Sequence, residues 1–253
     1  MKTYQTTEIA RLTNLHPNTV RLYESIGFIT PPQRKPNGYR VFTELQLAQV
    51  TLTRTALRVP LVQNGLRKLA VGIVRASAAM DFDAAHRLSQ QYLGLIRSEQ
   101  VQAEEALGIA RQLLSDTAAE ASGEYLSRSE AAKALRTTID TLRNWEMNGL
   151  LTTKRLQNGY RVYSPADMQR LTLIRSLRAA NYSLASILRL MNTLSENPNA
   201  DIRKTLNTPA QGEEILSVCD ELLTSLHAAE DNALKMLTQT QLMIARFSPN
   251  PTL

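Results

Sequence analysis

The sequence repeats itself once, and this duplication limits the possible folds more than any other feature. At an offset of 122 residues, VRLYESIGFIT at 20–30 aligns with LRNWEMNGLLT at 142–152. At an offset of 121, RKPNGYRVF at 34–42 aligns with RLQNGYRVY at 155–163. A contiguous NGYRV match flanked by ordered similarities is not expected by chance. A solenoid needs at least three repeats, so two copies predict a duplicated domain.

Charge follows the same division of the chain. Residues 1–70 carry a net charge of +7, residues 71–123 of −3, residues 124–193 of +6 and residues 194–253 of −4. These four segments are the predicted domains: two basic modules, each followed by a connector and a long helix. The basic modules indicate a polyanionic partner, although a solvated basic face explains the charge equally well.

Each basic module predicts two short helices joined by a tight turn. In the first copy, Thr6–Glu8 opens a helix, and Pro17 suits the first position of a second helix. Gly27 follows that helix and can provide its left-handed cap. The pair matches a helix-turn-helix, whose second helix can enter a DNA major groove.

A cationic hairpin is predicted to follow the two helices. Phe28-Ile29 and Tyr39–Phe42 are β-prone, and Asn37-Gly38 between them is a strong two-residue hairpin signal. Together with the helices, this segment predicts a winged helix whose hairpin contacts phosphates. The alternative is that Arg40 pairs with an acid and Tyr39 packs on the core.

Two acidic segments have the three/four spacing of long coiled-coil helices. In 211–246 these positions are Ile215, Cys219, Leu222, Leu226, Ala229, Ala233, Met236, Thr240 and Met243. In 84–118 one register uses Leu88, Tyr92, Leu95, Ala106, Ile109 and Leu113, interrupted by Glu99 and Gln102. A second register uses Leu93, Ile96, Ala103, Leu107, Ala110 and Leu114. The short connection at 115–124 favours antiparallel pairing, and ordinary core helices of a bundle are the alternative.

The phrases TVRLYESIGFI and TLRNWEMNGLL, each followed by NGYRV and an arginine-rich helix, resemble the MerR family of bacterial transcription regulators. The resemblance covers roughly residues 3–70 and 124–191. It implies homodimers that pair long C-terminal helices as an antiparallel coiled coil. Such dimers bind a near-palindromic promoter operator, and many distort it for RNA polymerase. Because this chain carries both parts twice, we expect a mainly α, monomeric pseudo-dimer that presents two winged helices.

The predicted DNA contacts lie on the second helix and the hairpin of each copy. In the first copy they are His16, Asn18, Thr19, Arg21, Tyr23, Arg34, Lys35, Tyr39 and Arg40. In the second copy they are Thr138, Asp140, Thr141, Arg143, Trp145, Lys154, Arg155, Tyr160 and Arg161. Tyr23 and Trp145 fit buried packing equally well, and Asp140 also fits a helix N-cap. Because the two sets differ, we expect an asymmetric operator with unlike half-sites.

An effector is harder to predict from the sequence. The single cysteine, Cys219, excludes disulfide scaffolds and multi-cysteine metal or cluster sites. At a seam position it fits a small buried side chain, and thiol sensing is the alternative. If a small molecule binds, the aromatic residues to consider are Phe82, Tyr92, Trp145 and Tyr182.

Three functional classes fit these features. An operator-specific transcription regulator is favoured over a small-molecule-binding protein or an architectural DNA-bending protein. No glycine loop for phosphates, nucleophile–base pair or metal cluster indicates an enzyme, so neither catalysis nor a cofactor is expected. The chain begins without a signal-like apolar stretch and has no run of 18 apolar residues, so we expect a cytoplasmic protein without a membrane partner.

Overall fold

The computed structural model describes residues 2–58, 64–115, 124–155, 159–197, 199–208 and 221–248. The chain divides into two compact units, the first built from Met1–Ser98 and Leu226–Leu253 and the second from Glu99–Ser225. Within the described ranges, no helix has both the length and the apolar character that crossing a bilayer requires.

The first unit contains one copy of the repeat and parts of two long helices. Its elements are β1 (Thr3–Tyr4), α1 (Thr6–Leu12), α2 (Pro17–Ser25), β2 (Gln33–Arg34), β3 (Arg40–Thr43), α3 (Glu44–Ala56), α4 (Asn64–Ala78), the first part of α5 (Phe82–Ser115) and most of α11 (Leu222–Phe247). We call the part from β1 to α3, residues 3–56, lobe 1.

The second unit contains the other copy. Its elements are the last part of α5, β4 (Leu126–Ser127), α6 (Arg128–Ala134), α7 (Ile139–Met147), β5 (Lys154–Arg155), β6 (Arg161–Tyr163), α8 (Pro165–Ala179), α9 (Leu184–Glu196), α10 (Ile202–Asn207) and the start of α11. We call the part from β4 to α8, residues 126–179, lobe 2. The two lobes have the same order of elements, as the repeat predicts.

Each lobe has a small three-stranded antiparallel sheet that the sequence predicted only in part. In lobe 1 the strand order is β1-β3-β2, with Tyr4 opposite Phe42 and Arg34 opposite Arg40. The prediction of a strand at Phe28-Ile29 is wrong, because the hairpin pairs Gln33–Arg34 with β3 instead. Ile29 is buried and Phe28 packs beside it in the core. The apolar character of these two residues therefore reflects core packing and not a strand.

The turn of the hairpin is one residue longer than predicted. The Lys35 N–H donates to the Tyr39 carbonyl at 2.9 Å, and the Gly38 N–H donates to the Lys35 carbonyl at 2.8 Å. Three residues therefore lie between Lys35 and Tyr39, and Gly38 has a φ of +81°. This matches a three-residue hairpin loop, in which glycine occupies the left-handed position.

The predicted helix signals are confirmed. Pro17 is the first residue of α2, and Gly27 follows the helix with a φ of +72°. The Gly27 N–H donates to the backbone carbonyl of Glu24, and the Phe28 N–H donates to the backbone carbonyl of Tyr23. Gly149, with a φ of +76°, ends α7 in the same way. Only a residue that tolerates positive φ fits this cap.

The core of lobe 1 lies between the two short helices, the sheet and α3. Its buried members are Tyr4, Ile9, Ala10, Val20, Tyr23, Ile29, Phe42 and Val50. Val20 and Tyr23 face inward from α2, as the helical spacing predicts. From α1, Ile9 and Ala10 are buried in this core, whereas Leu12 is exposed.

The two long helices bury one face each. In α11 the seam positions Leu222, Leu226, Ala229, Ala233, Met236, Thr240 and Met243 are all buried, whereas Ile215 and Cys219 lie outside the described residues. In α5 the buried residues of the second register are Leu93, Ile96, Ala103, Leu107 and Ala110. Of the first register, Tyr92 and Ala106 are buried, while Leu95 and Ile109 are exposed. The second of the two predicted registers therefore describes α5 better.

Within the first unit, contacts between α5 and α11 follow an antiparallel order. The Phe82 and Phe247 ring centroids are 6.3 Å apart, His86 Nδ1 lies 3.0 Å from Thr240 Oγ1, and Arg97 pairs with Glu230 at 2.8 Å. Residue numbers rise along α5 as they fall along α11. The end of α11 also contacts lobe 1 and α4, through Gln239 with Thr55 and Met243 with Ser77.

The connectors contain more helix than the sequence indicated. Among the described residues, α4 runs from Asn64 to Ala78, so it extends from the first basic module into the segment 71–123 and ends shortly before α5. In the second unit, α10 lies in the segment 194–253, ahead of α11. It is held to α9 by Arg189, whose Nε donates to the Thr205 carbonyl at 2.7 Å. These helices depend on contacts with neighbouring helices, which helical periodicity alone did not reveal.

Candidate nucleic-acid interface

The helices α2 and α7 begin with different capping residues. At the start of α2, His16 Nδ1 accepts a hydrogen bond from the Asn18 N–H at 3.2 Å. At the start of α7, the Thr138 hydroxyl accepts from the Thr141 N–H at 3.1 Å. Thr138 is therefore the N-cap, and the alternative interpretation of Asp140 as the cap is wrong. Asp140 lies in the first turn of α7, where a carboxylate interacts favourably with the helix dipole.

Each of these helices presents one exposed arginine that is oriented by the residue three positions earlier. Arg21 Nη1 donates to Asn18 Oδ1 at 2.8 Å, and Arg143 Nη1 lies 3.4 Å from Asp140 Oδ1. Both pairs are exposed, so they contribute little to the stability of the fold. The same geometry is thus built with an amide in one lobe and a carboxylate in the other.

The aromatic residues of these helices face the core. Tyr23 and Trp145 are both buried, and Tyr23 packs against Phe28 with ring centroids 6.2 Å apart. Burial raises the pKa of the Tyr23 hydroxyl. Their assignment to DNA contact is corrected accordingly, in favour of the packing alternative, because buried rings have little surface to offer a phosphate.

The hairpin tips carry an exposed tyrosine in both lobes. Tyr39 is 71% exposed and Tyr160 is 73% exposed, so the alternative that Tyr39 packs on the core is wrong. Lys35 and Lys154 are also exposed. The side chain of Arg155 lies outside the described residues. Each hairpin therefore carries an exposed tyrosine ring and an exposed lysine, but Lys154 lies in β5 and aligns with Gln33, so it is not the counterpart of Lys35.

A glutamate that is identical in the two copies holds each hairpin arginine. In lobe 1, Glu24 of α2 pairs with Arg40 and with Arg34, the latter at 3.3 Å. The alternative that Arg40 pairs with an acid is confirmed, and its contact with DNA stays a prediction. Arg34 stays half exposed and keeps donors for another partner.

The equivalent glutamate of lobe 2 is more deeply buried and has more partners. Glu146 is 5% exposed, against 13% for Glu24, and pairs with Arg128 at 2.8 Å and Arg161 at 2.9 Å. The Tyr163 hydroxyl donates to its other oxygen. Burial and this hydrogen bond raise the pKa of Tyr163. The pKa of Arg128 is raised as well, chiefly by its hydrogen bond with Tyr163.

These two ion-pair clusters were not predicted from the sequence, although one indication of them was present. Glu24 and Glu146 are identical in the aligned copies, yet nothing local identifies their partners. Arg128, which begins α6 and was not among the predicted site residues, completes the cluster in lobe 2. In both lobes the glutamate ties the second helix to the hairpin, and so fixes the angle between the two predicted DNA-contacting elements.

Four of the predicted residues of lobe 1 line one cleft of about 460 Å³. Arg21 reaches it from α2, while Lys35, Tyr39 and Arg40 reach it from the hairpin. The N-terminal segment from Thr3 to Glu8 also lines the cleft. Basic and hydrogen-bonding groups converging on an open cleft are suited to binding an anionic backbone.

The aromatic residues proposed for a ligand are core side chains. Phe82, Tyr92, Trp145 and Tyr182 are all buried, and burial is the largest cause that raises the pKa of Tyr182 to about 12. Exposed stacking on a ligand is therefore excluded for these four in the described structure. Cys219 lies outside the described residues.

Comparisons with known families agree with the repeat. Residues 5–42 match the MerR family regulatory protein model, and residues 126–194 match the MerR HTH family regulatory protein model. The two matches fall on lobe 1 and on lobe 2 with α9. Each lobe therefore resembles the helix-turn-helix part of MerR-family regulatory proteins.

Curated relatives resemble only part of the chain. The HTH-type transcriptional regulator CueR of Escherichia coli O157:H7 is 42% identical over 52 residues, covering 21% of this chain and 38% of that protein. CueR of Yersinia pestis is 36% identical over 62 residues, covering 24% and 45%. An uncharacterized HTH-type regulator of Synechocystis is 45% identical over 49 residues, covering 19% and 36%. The chain thus spans less than half the length of each relative, and no solved structure matches it.

Proposed function

We propose that this chain is a sequence-specific transcription regulator whose two lobes contact the two halves of one promoter operator. The observation that carries the proposal is the repeated interface. Each lobe presents an exposed arginine on its second helix and an exposed tyrosine and lysine on its hairpin. Each also has a glutamate between these elements.

In this proposal the chain is a covalent pseudo-dimer, with α5 and α11 paired as an antiparallel coiled coil. Support comes from the three/four spacing of their buried positions and from the antiparallel order of their contacts in the first unit. The end of α11 contacts α3 and α4, and the end of α5 lines a cavity with α8 and α9. Each lobe therefore meets the end of the long helix that follows the other lobe.

The two lobes are proposed to bind unlike half-sites. An exposed arginine at the start of a recognition helix prefers guanine through its two parallel donors. In lobe 1 its neighbour Asn18 can pair with adenine, whereas in lobe 2 Asp140 can only accept, as from cytosine N4. The difference predicts a pseudo-palindrome whose two arms are not interchangeable.

Phosphate contacts are assigned to the hairpins. Tyr39 and Lys35 in lobe 1, and Tyr160 and Lys154 in lobe 2, are exposed on the hairpins and suit the backbone beside the major groove. Binding through two such lobes is proposed to distort the promoter for RNA polymerase.

The test is the stoichiometry of the DNA complex. The chain is mixed with the DNA upstream of its own coding region, and gel shifts are combined with the mass of the free and bound protein in solution. One chain per operator is the expected result, and an obligatory two chains per operator would contradict the pseudo-dimer. A scrambled duplex of equal length is the control, since equal affinity for it would indicate an architectural protein instead.

A further inference from the structure

The second unit contains a cavity that the DNA-binding proposal does not use. Its volume is about 610 Å³, and it lies among the end of α5, α8 and α9. The apolar part of its lining consists of Leu113, Leu114, Ala166, Leu173, Met191 and Leu194. This volume is within the range of roughly 300–1,000 Å³ that is usual for small-molecule sites.

The polar groups of the cavity are few, and one has no partner. Gln169 lines it, and Gln169 Oε1 is fully buried without a hydrogen bond from any described residue. Asp167 Oδ2 is occupied, since it accepts from the Ser164 N–H and hydroxyl at 2.9 and 2.8 Å. A buried acceptor without a donor is unfavourable, so a ligand N–H or O–H that reached Gln169 would be bound selectively.

Arg170 gives the cavity a cationic edge. It lines the cavity and is exposed, and a guanidinium group provides several donors for a carboxylate or sulfonate. These features suit an amphipathic, acidic ligand: the cavity has an apolar interior, one buried acceptor and an exposed cation.

The first unit has a counterpart that differs in size and lining. A cavity of about 250 Å³ lies between α3 and α11, lined in part by Leu47, Ala48 and Leu242. At the offset of 121 residues, Ala48 corresponds to Gln169. The smaller cavity has an unpaired acceptor of its own, Gln239 Oε1, but its volume is below the usual range for small-molecule sites.

We propose that the cavity of the second unit binds an amphipathic small molecule with a flat apolar body, one N–H or O–H donor and an acidic group. The body lies against the leucines and Met191, the donor reaches Gln169 Oε1 and the acidic group meets Arg170. Such a ligand touches both α5 and the pair α8 and α9, so its binding stabilises their contact. This proposal does not depend on DNA binding.

Anilinonaphthalene sulfonate is a suitable probe, because it combines aromatic rings, one N–H and a sulfonate. Titration calorimetry and probe fluorescence with the full chain are expected to give one site per chain. In a spectrum of ¹³C-methyl methionines, the Met191 signal is expected to shift. The signals of Met147, which is exposed, and of Met243, which lines the smaller cavity, should stay in place.

Two variants of the cavity and one matched control decide the outcome. Leu194→Trp fills the cavity and should weaken probe binding at least about tenfold, and Gln169→Leu should weaken it about fivefold by removing one hydrogen bond. Leu242→Trp, in the smaller cavity, should leave the affinity unchanged. Circular dichroism verifies that each variant folds. If Leu194→Trp does not fold, the binding measured for Gln169→Leu still tests the proposal. Unchanged affinity in Gln169→Leu, or an unmoved Met191 signal, would overturn the proposal.

Discussion

At the scale of single residues, the aligned glutamates show how a duplication can keep one interaction and vary its surroundings. Glu24 and Glu146 both bind the arginine of the NGYRV segment. In lobe 2 the glutamate is buried more deeply, because Tyr163 and Arg128 join it there. In lobe 1 the residue aligned with Tyr163 is Phe42, which has no hydroxyl to offer.

Replacing Tyr163 with Phe is expected to destabilise lobe 2 while preserving its shape. The hydroxyl bonds a buried carboxylate, and hydrogen bonds to charged groups contribute about 1.5–3 kcal/mol. We expect Tyr163→Phe to lower the free energy of unfolding by about 2 kcal/mol. Urea denaturation followed by fluorescence of Trp145, which also lies in lobe 2, measures the change.

The control for this substitution is Tyr39→Phe. The Tyr39 ring is exposed at the hairpin tip, so loss of its hydroxyl should change stability by less than about 0.5 kcal/mol. Equal stability of Tyr163→Phe and the wild-type protein would show that the hydroxyl does not stabilise the cluster.

At the scale of elements, the long helices show where a pattern becomes ambiguous. Two registers fitted α5, because leucine, isoleucine and alanine occur on more than one of its faces. Burial decides between them: Leu107 is fully buried, whereas Ile109 is 44% exposed. The acidic interruption at Glu99 lies between the buried positions Ile96 and Ala103 and is itself half-buried.

Paired substitutions in α5 test this register. Leu107→Ala removes a buried side chain and should cost about 2–5 kcal/mol of unfolding free energy. Ile109→Ala, two residues away on the exposed side, should cost less than about 1 kcal/mol. Chemical denaturation of both variants gives the comparison, and the reverse order of the two losses would exclude this register.

Glu99 predicts a dependence of stability on pH. Burial raises the pKa of its carboxyl above the ordinary value of 4.5. When folding raises the pKa of a group, protonation of that group favours the native state. This stabilisation is complete at pH values below the pKa in the unfolded chain, and it is lost as the pH rises through the pKa in the folded protein. At pH 7 the ionised side chain therefore weakens the helix seam.

Glu99→Gln is accordingly expected to be more stable than the wild-type protein at pH 7. The difference should vanish below the ordinary glutamate pKa of 4.5, where the wild-type carboxyl is protonated as well. Thermal unfolding of both proteins across this pH range measures it. A constant difference at all pH values would show that titration of Glu99 is not its cause.

At the scale of the whole molecule, the duplication separates the two recognition surfaces. The two copies are free to differ because one chain encodes both, and they do differ at His16 and Thr138 and at Asn18 and Asp140. Their shared parts, the arginine of the second helix and the hairpin tyrosine, are the contacts expected in both half-sites.

Substitution of the two arginines tests whether each lobe contacts one arm of the operator. If Arg21 and Arg143 contact bases, Arg21→Ala and Arg143→Ala should each weaken operator binding by about 1–3 kcal/mol. Each variant should also tolerate base changes in only one operator arm. Gel shifts with operators altered in either arm measure this, and an equal loss of discrimination in both arms would contradict the assignment of one lobe to each arm.

The sequence by itself determined the repeated parts of this protein: two lobes, each with two short helices of which the second ends at a glycine, a basic hairpin, and a long amphipathic helix after each lobe. Caps, turns and periodicity depend on residues close together in the chain, and their repetition made them unmistakable. The exact strands of the hairpin were less predictable, because Phe28-Ile29 is β-prone for a reason unrelated to the sheet.

Only the tertiary structure decided the partners of these residues. It paired Arg40 with Glu24 and Arg161 with Glu146, buried Tyr23 and Trp145, selected the face of α5 and left a cavity beside Gln169. Each of these depends on side chains that are distant in sequence. An arginine beside a tyrosine looks the same in the chain whether it faces DNA or a buried carboxylate, and only packing distinguishes the two.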